Sequence, residues 1–188
     1  MSKPRSLIGL DLDGVLYRWT EAALATVHAL RGREVPEYGE DQHWNHIKEV
    51  LSPEEWKWLW SDPEARQYCF ATGRAYADGV RAAVALERRG DVVIVTSRPA
   101  DTNHVTAAWL ARHGVPYHAL VVVPGPGEKH LHPFVGLCDI FVDDNPDNAR
   151  NIAELGVPVY VPARDYNEEV QGEPGIIRFT DWEEVTNG

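Results

Sequence analysis

The sequence has little cysteine, few basic residues for its number of acidic ones, and no long apolar run near its start. Its two cysteines, Cys69 and Cys138, do not have the spacing of a metal site, so we expect reduced, buried thiols and a cytoplasmic protein. The 18 basic and 29 acidic residues give a formal net charge of −11. Charge of that sign repels nucleic-acid backbones and anionic membranes, which disfavours both as partners. The first apolar run ends at Asp11, too early for a signal peptide or a membrane span.

The length and composition are those of an ordinary globular protein. The chain has 188 residues, with 44% hydrophobic and 25% charged residues. That length suits one large domain, or a core with a small insert, and it is enough to bury a sizeable hydrophobic core. The oligomeric state is not indicated by any of these features.

Short apolar runs alternate with helical patterns over most of the chain. Such alternation predicts parallel β-α-β units, and therefore an α/β fold with a doubly wound parallel sheet. The sixth of these runs is the weakest and is expected to be a short edge strand. The predicted strands are residues 7–10, 92–95, 119–123, 139–142, 159–161 and 176–179.

Residues 18–75 interrupt this alternation and contain no strand pattern. Thr20 is the expected N-cap of a first helix, and Ser52, followed by Pro53 and by Glu55 at the third helical position, is a strong signal for another. Five of the seven tryptophans lie in this stretch. We therefore predict a small helical cap at residues 18–75, inserted after the first strand of a core formed by residues 1–17 and 76–188.

Two aspartates follow the first predicted strand, and a glycine comes directly after them. Asp11 and Asp13 are one residue apart on a chain that is leaving the strand, so both can face one site at the edge of the sheet where α/β folds bind ligands. One can act as a nucleophile or metal ligand and the other as an acid/base. Two carboxylates so close favour a divalent cation, and Mg²⁺ suits a site that also holds phosphate. Taken alone, the motif is equally compatible with a solvated turn.

Polar residues also follow three later strands. Thr96 and Ser97 follow the second strand, Lys129 comes shortly after the third, and Asp143 and Asp144 end the fourth. Separately these residues are typical of helix caps, turns and solvated loops. Together with the first pair they form a set suited to phosphoryl transfer through an aspartyl phosphate, with Mg²⁺ and a lysine to neutralise the phosphoryl oxygens.

This set of motifs resembles the haloacid-dehalogenase-like (HAD) phosphohydrolase superfamily, which has a Rossmann-like core. The resemblance implies that Asp11 is the nucleophile and Asp13 the general acid/base. It also implies that Mg²⁺ is bound by Asp11, the backbone carbonyl of Asp13 and Asp143, with Asp144 in or near the coordination shell. The insert resembles the cap that closes over the site in that superfamily.

The same resemblance implies that Thr96 and Lys129 hold the phosphoryl oxygens. Within the superfamily the chain is most similar to the cytosolic-type 5′-nucleotidases, which dephosphorylate (deoxy)ribonucleotides. The features that carry this likeness are the Asp-Gly-Val-Leu opening, the small aromatic cap, Thr96-Ser97, the Asp-Asp-Asn-Pro stretch and Asp165-Tyr166-Asn167. The chain departs from that family's pattern at Arg98, which stands between Ser97 and Pro99.

Substrate contacts are expected from the second strand end, the lysine and the cap. Trp56 and Trp60 are four residues apart, so they share a helix face and are expected to pack the cap onto the core. Trp44 and Trp58 are then freer to face the cleft and stack on a nucleobase. The predicted substrate-binding residues are Thr96, Ser97, Arg98, Lys129, Trp44 and Trp58.

Two other functions remain open at this point. The first is a HAD phosphatase that acts on another small phosphomonoester or on a polynucleotide end, although the negative charge opposes long polyanions. The second is a module without turnover, either a receiver-like domain or an idle nucleotide-binding domain. A receiver domain carries its acidic pair on the first strand and has no insert after it, whereas here the paired Asp143 and Asp144 come late.

Overall fold

Six strands form one sheet in which all neighbouring pairs are parallel. The computed structural model describes residues 5–36, 47–125 and 127–187. The strand order is β3-β2-β1-β4-β5-β6, so the chain reverses its direction of winding between β1 and β4. This order confirms the predicted doubly wound sheet, including the edge strand. The strands are β1 Ser6–Leu10, β2 Gly90–Thr96, β3 Ala119–Val122, β4 Ile140–Val142, β5 Val159–Pro162 and β6 Ile176–Phe179.

Helices connect the strands, and five of the α-helices in the described ranges lie between β1 and β2. None of the helices in the described ranges is long and apolar enough to cross a membrane. The helices are α1 Trp19–Arg31, α2 Ile47–Val50, α3 Pro53–Ser61, α4 Pro63–Thr72, α5 Ala77–Glu87, α6 Asn103–Arg112, α7 Pro146–Ala153 and α8 Glu183–Thr186.

The sheet is buried on both faces because successive side chains of a strand point to opposite sides. In β2, Val92 and Ile94 belong to one hydrophobic cluster, and Val93 and Val95 to the other. Gly9 in β1 lets the neighbouring strand approach, since a Cβ atom at that position would lie 2.2 Å from the Phe141 ring. The two cysteines are free and buried, as expected.

Local capping signals account for two helices of the predicted insert, α3 and α4. Ser52 caps α3 through a capping box with Glu55, and the Asp62 side chain caps α4. The prediction of Thr20 as an N-cap is wrong, because α1 already begins at Trp19 and Thr20 is buried inside it. The helix begins earlier because the turn before it is closed by backbone hydrogen bonds and needs no side-chain cap.

The two ends of the predicted insert lie side by side. The Arg18 amide donates to the Arg74 carbonyl (3.0 Å), and the Tyr76 amide donates to the Leu16 carbonyl (2.9 Å). The chain therefore leaves the sheet and returns to it at neighbouring points. The division into a core and a cap at residues 18–75 remains a prediction.

Candidate active site

The turn after β1 carries the first aspartate pair. The Asp11 amide donates to the Val142 carbonyl (2.9 Å), so the ladder between β1 and β4 continues for one residue and holds Asp11 at the sheet edge. The Tyr17 amide then donates to the Leu12 carbonyl (2.7 Å), which closes the turn. Asp11 is buried, whereas the Asp13 side chain is 28% exposed.

Gly14 is required in this turn for two independent reasons. Its φ is +85°, a conformation that residues with a Cβ atom rarely adopt. A Cβ atom at this position would also lie 2.0 Å from Oδ2 of Asp144. The absence of a side chain therefore lets the loops after β1 and β4 approach each other.

Lys129 joins the ends of β1 and β4 through two buried ion pairs. Its Nζ atom lies 2.7 Å from Oδ1 of Asp11 and 2.7 Å from Oδ2 of Asp143, and its side chain is only 1% exposed. Burial acts to lower the pKa of Lys129, but the two carboxylates outweigh it and raise that pKa above its ordinary value. The two carboxylates therefore stabilise the charged form of the lysine. The structure thus places Lys129, a predicted site residue, between Asp11 and Asp143.

The two aspartates after β4 have different surroundings. Asp143 is completely buried: its Oδ1 accepts from the Asn145 amide (3.0 Å), and both its carboxylate oxygens lie 3.2 Å from Nδ2 of Asn148. Asp144 accepts a hydrogen bond from Oη of Tyr166 at 2.5 Å and lies against Gly14. The carboxylate of Asp143 is thus already engaged by protein donors.

Negative charge is in excess in this cluster. Asp11, Asp143 and Asp144 can each offer one carboxylate oxygen such that all three lie within 4.8 Å of one another, with Lys129 as the cation paired to two of them. Burial raises the pKa of Asp11 well above its usual range, against the effect of Lys129. Burial and the neighbouring Asp143 raise the pKa of Asp144 to about 7. A further cation would relieve this repulsion, and three carboxylates are the donor set that suits Mg²⁺.

Thr96, Ser97 and Arg98, at the end of β2, have different positions relative to the site. Thr96 is buried, and its Oγ1 accepts from the Arg98 amide at 3.3 Å. Arg98 is also buried, and its guanidinium pairs with the Asp13 carboxylate. Ser97 and Arg98 line the cavity described next, whereas Thr96 and Asp143 are not among its lining residues.

A cavity of about 470 Å³ opens beside these strand ends. One part of its wall carries Asp11, Asp13, Lys129 and Asp144. Another part is aromatic, and there the ring centroids of Trp19 and Trp60 lie 5.7 Å apart in a stacked arrangement. We define the aromatic wall by the residues Trp19, Trp56, Trp60, Phe70 and Tyr76.

The aromatic wall corrects the prediction made for the cap. Trp58 does not line the cavity; the guanidinium of Arg31 lies 4.3 Å from its ring centroid instead. Trp56 and Trp60 were expected only to pack the cap, yet both line the cavity. The helix turns its Trp56–Trp60 face to the cavity because Trp19 of α1 packs against both rings. Trp44 lies outside the described residues.

Tyr166 and Asn148 also line the cavity, although neither is among the site residues predicted from the sequence. Tyr166 lines the cavity and donates to Asp144, and Asn148 lines it while donating to Asp143. The available signal for Tyr166 is the Asp165-Tyr166-Asn167 stretch, one of the features that carry the likeness to the 5′-nucleotidases. Asn148 lies in the first turn of α7, where a polar residue gives no comparable signal.

The fold and the site together define a class of protein. They have the features of a HAD-superfamily hydrolase. These features are the strand order, the helices inserted after β1, and an Asp-x-Asp loop, a lysine and an aspartate pair at one edge of the sheet. The model of the family described as 5′ nucleotidase, deoxy (pyrimidine), cytosolic type C (NT5C) matches residues 5–187. This protein therefore belongs to the NT5C family.

Three individual proteins are also similar to this chain. A nucleotidase from Clostridium acetobutylicum is 31% identical over 102 residues, which cover 53% of this chain and 51%, about half, of that protein. The structure of a predicted phosphoglycolate phosphatase from Haemophilus somnus is 20% identical, with a TM-score of 0.61 over 100% of this chain and 99% of that one. The L-2-haloacid dehalogenase from Xanthobacter autotrophicus is 13% identical, with a TM-score of 0.60 over 97% of each chain. These two structures establish the fold alone.

Proposed function

We propose that this protein is a cytoplasmic 5′-nucleotidase that removes the phosphate of (deoxy)ribonucleoside monophosphates through an aspartyl phosphate. The observation that carries the proposal is that one cavity holds both the carboxylates with their lysine and the aromatic wall. The first part suits a phosphoryl group, and the second suits a flat base. The negative net charge favours a small substrate over a long polyanion.

In the proposed reaction an oxygen of Asp11 bonds to phosphorus as the bond to the ester oxygen breaks. Asp13 donates a proton to that leaving oxygen. It then takes a proton from the water molecule that attacks the phosphoryl group and restores the free Asp11 carboxylate. Lys129, 2.7 Å from Asp11, contributes positive charge to the phosphoryl oxygens. Hydroxyl contacts from Thr96 and Ser97 remain proposals, and Ser97 is the one of the two that lines the cavity.

The excess of buried negative charge fits a magnesium ion held by Asp11, the backbone carbonyl of Asp13 and Asp144. The resemblance instead gives Asp143 as the direct ligand; both aspartates belong to the group of three carboxylates, and we propose Asp144 because it lines the cavity. Asp143 is engaged by Lys129 and Asn148 and does not line the cavity, whereas Asp144 does. Bound Mg²⁺ supplies charge that draws electron density from the phosphoryl group. We therefore assign to Asp143 the role of holding Lys129.

A substrate screen tests the proposed function. The protein is assayed with Mg²⁺ against nucleoside 5′- and 3′-monophosphates, sugar phosphates, p-nitrophenyl phosphate and an oligonucleotide phosphorylated at either end. We expect hydrolysis of p-nitrophenyl phosphate and the highest kcat/KM among the nucleoside monophosphates. Preference for the oligonucleotide or for a sugar phosphate would contradict the proposed nucleotide substrate but not the proposed phosphatase reaction. If none of these substrates is hydrolysed, the result would contradict the proposed enzyme and favour a binding module without turnover.

The aromatic wall gives a second prediction, for Trp60→Leu. Stacking on a base is worth about 1–3 kcal/mol, so loss of this ring should raise KM for nucleotides by roughly 5- to 150-fold. The KM for p-nitrophenyl phosphate should change much less, because its ring is smaller and carries no sugar. Leucine keeps an apolar contact with Trp19 and Phe70, and Trp60 is already 37% exposed, so the fold should tolerate the change.

Trp58→Leu is the matched control for Trp60→Leu. Trp58 lies two residues from Trp60 in the same helix, but it does not line the cavity. We expect its nucleotide KM to equal that of the wild type. Equal changes in both variants, or equal changes for both substrates, would mean that these rings only support the cap.

A further inference from the structure

Arg98 is a buried cation whose charged partner is Asp13. Its side chain is 1% exposed, and its guanidinium is engaged by protein acceptors. Nη2 lies 2.7 Å from Oδ1 of Asp13, and Nε lies 3.0 Å from Oδ2. The two groups therefore face each other as a fork, a geometry that fixes the plane of the carboxylate as well as its position.

The guanidinium itself is held from three other directions. Nη1 donates to Oγ1 of Thr106 in α6 at 3.2 Å. The centre of the guanidinium lies 4.1 Å from the ring centroid of Tyr17 and 4.6 Å from that of Phe70 in α4. Tyr17 is fixed in turn, because its Oη accepts from the Gly73 amide at 2.8 Å. The position of Arg98, and through it that of Asp13, is therefore fixed by residues of several separate segments.

We infer that Arg98 is a positioning residue, which holds the Asp13 carboxylate at the cavity wall in the orientation needed for proton transfer to and from the leaving-group oxygen. The inference rests on the proposed function, in which Asp13 is the acid/base. It replaces the substrate-binding role predicted for Arg98 from the sequence. Lysine cannot substitute fully, since an ammonium offers no planar fork to a carboxylate.

The test compares two substrates of similar size with different leaving groups. Phenol resembles the tyrosine side chain, with a pKa of about 10, so phenyl phosphate needs a proton donor more than p-nitrophenyl phosphate does. For Arg98→Met we expect kcat/KM to fall about 10²-fold with phenyl phosphate and only several-fold with p-nitrophenyl phosphate, the pattern of a misplaced general acid. Arg98→Lys should recover part of the loss. The inhibition constant of inorganic phosphate should stay within about twofold, because Arg98 does not bind the phosphate.

A double-mutant cycle with Asp13→Asn tests the route of the effect. If Arg98 acts through Asp13, the double variant should be no slower than Asp13→Asn alone. Additive losses, or a weaker inhibition by phosphate in Arg98→Met, would overturn the inference. The outcomes also separate this inference from the function on which it rests. Full activity of Asp13→Asn contradicts the proposed acid/base, whereas a slow Asp13→Asn beside an unaffected Arg98→Met contradicts only the role of Arg98.

Thr106→Val keeps the test informative if Arg98→Met does not fold. Valine matches the shape of threonine but cannot accept the hydrogen bond from Nη1, so it loosens the guanidinium without removing its charge. We expect a loss of a few-fold in kcat/KM with phenyl phosphate and an unchanged value with p-nitrophenyl phosphate. Equal effects on both substrates would contradict the positioning role.

Discussion

Replacing Asp11 with asparagine should abolish turnover while the fold is retained. Asp11 lies at the cavity wall with Lys129 beside it, so it is the proposed nucleophile, and an amide oxygen is a poor one. Loss of a covalent nucleophile costs on the order of 10⁶-fold in kcat, so activity should fall to the detection limit. The substitution preserves the side-chain shape, and Lys129 keeps its pair with Asp143. Steady-state hydrolysis of p-nitrophenyl phosphate measures the loss, and thermal unfolding checks the fold.

The covalent intermediate gives the same prediction a second readout. Acid-quenched wild-type protein should carry phosphate in an acyl-phosphate linkage that hydroxylamine cleaves, and Asp11→Asn protein should carry none. Asp91→Asn is a suitable control, because it replaces another aspartate of the sheet, at β2, that pairs with Arg5 away from the cavity. Wild-type turnover in Asp11→Asn, or a phosphorylated variant, would contradict the proposed nucleophile.

Removal of divalent metal should also abolish activity, and Mg²⁺ should restore it. Among the described residues, Lys129 is the cation that pairs with these three buried carboxylates. Without a further cation, an excess of negative charge remains where a phosphate must bind. Dialysis against a chelator followed by Mg²⁺ titration tests this. Activity that is indifferent to the chelator would contradict the assignment.

The two aspartates after β4 should respond differently to substitution. Calorimetry with Mg²⁺ and the isolated protein measures affinity independently of turnover. We expect Asp144→Asn to weaken binding by more than about 100-fold and Asp143→Asn by about tenfold, because groups that act through a partner are worth about 10–100-fold. Asp147→Asn, a change at an acidic residue of α7 with an 82% exposed side chain, should leave affinity unchanged. A larger loss for Asp143→Asn would restore the assignment made from the sequence.

Several features of this protein follow from sequence patterns that extend over only a few residues. Short apolar runs predict all six strands, and their alternation with helical patterns predicts the parallel sheet, because a strand buried on both faces needs no polar side. Ser52 with Glu55 predicts a helix start because capping involves residues three positions apart.

The gathering of the candidate site residues was also predictable. Parallel strands bring their carboxyl ends to one edge, so residues after β1 and β4 must meet once the strands are adjacent. The sequence therefore indicated Asp11, Lys129, Asp143 and Asp144 as a group, and the ion pairs of Lys129 agree with that prediction.

Only the tertiary structure decided which way the individual side chains of the site face. The choice of Trp60 over Trp58 for the cavity depends on Trp19, which is about 40 residues away in the sequence and packs against Trp60. The pairing of Arg98 with Asp13 depends on Thr106, Tyr17 and Phe70, which come from separate elements. A strand or a helix N-cap is determined by residues that are close to it in the chain. The direction of a buried side chain is set by the packing of distant segments and by the need of each buried charge for a partner, so it is determined only when the whole fold has formed.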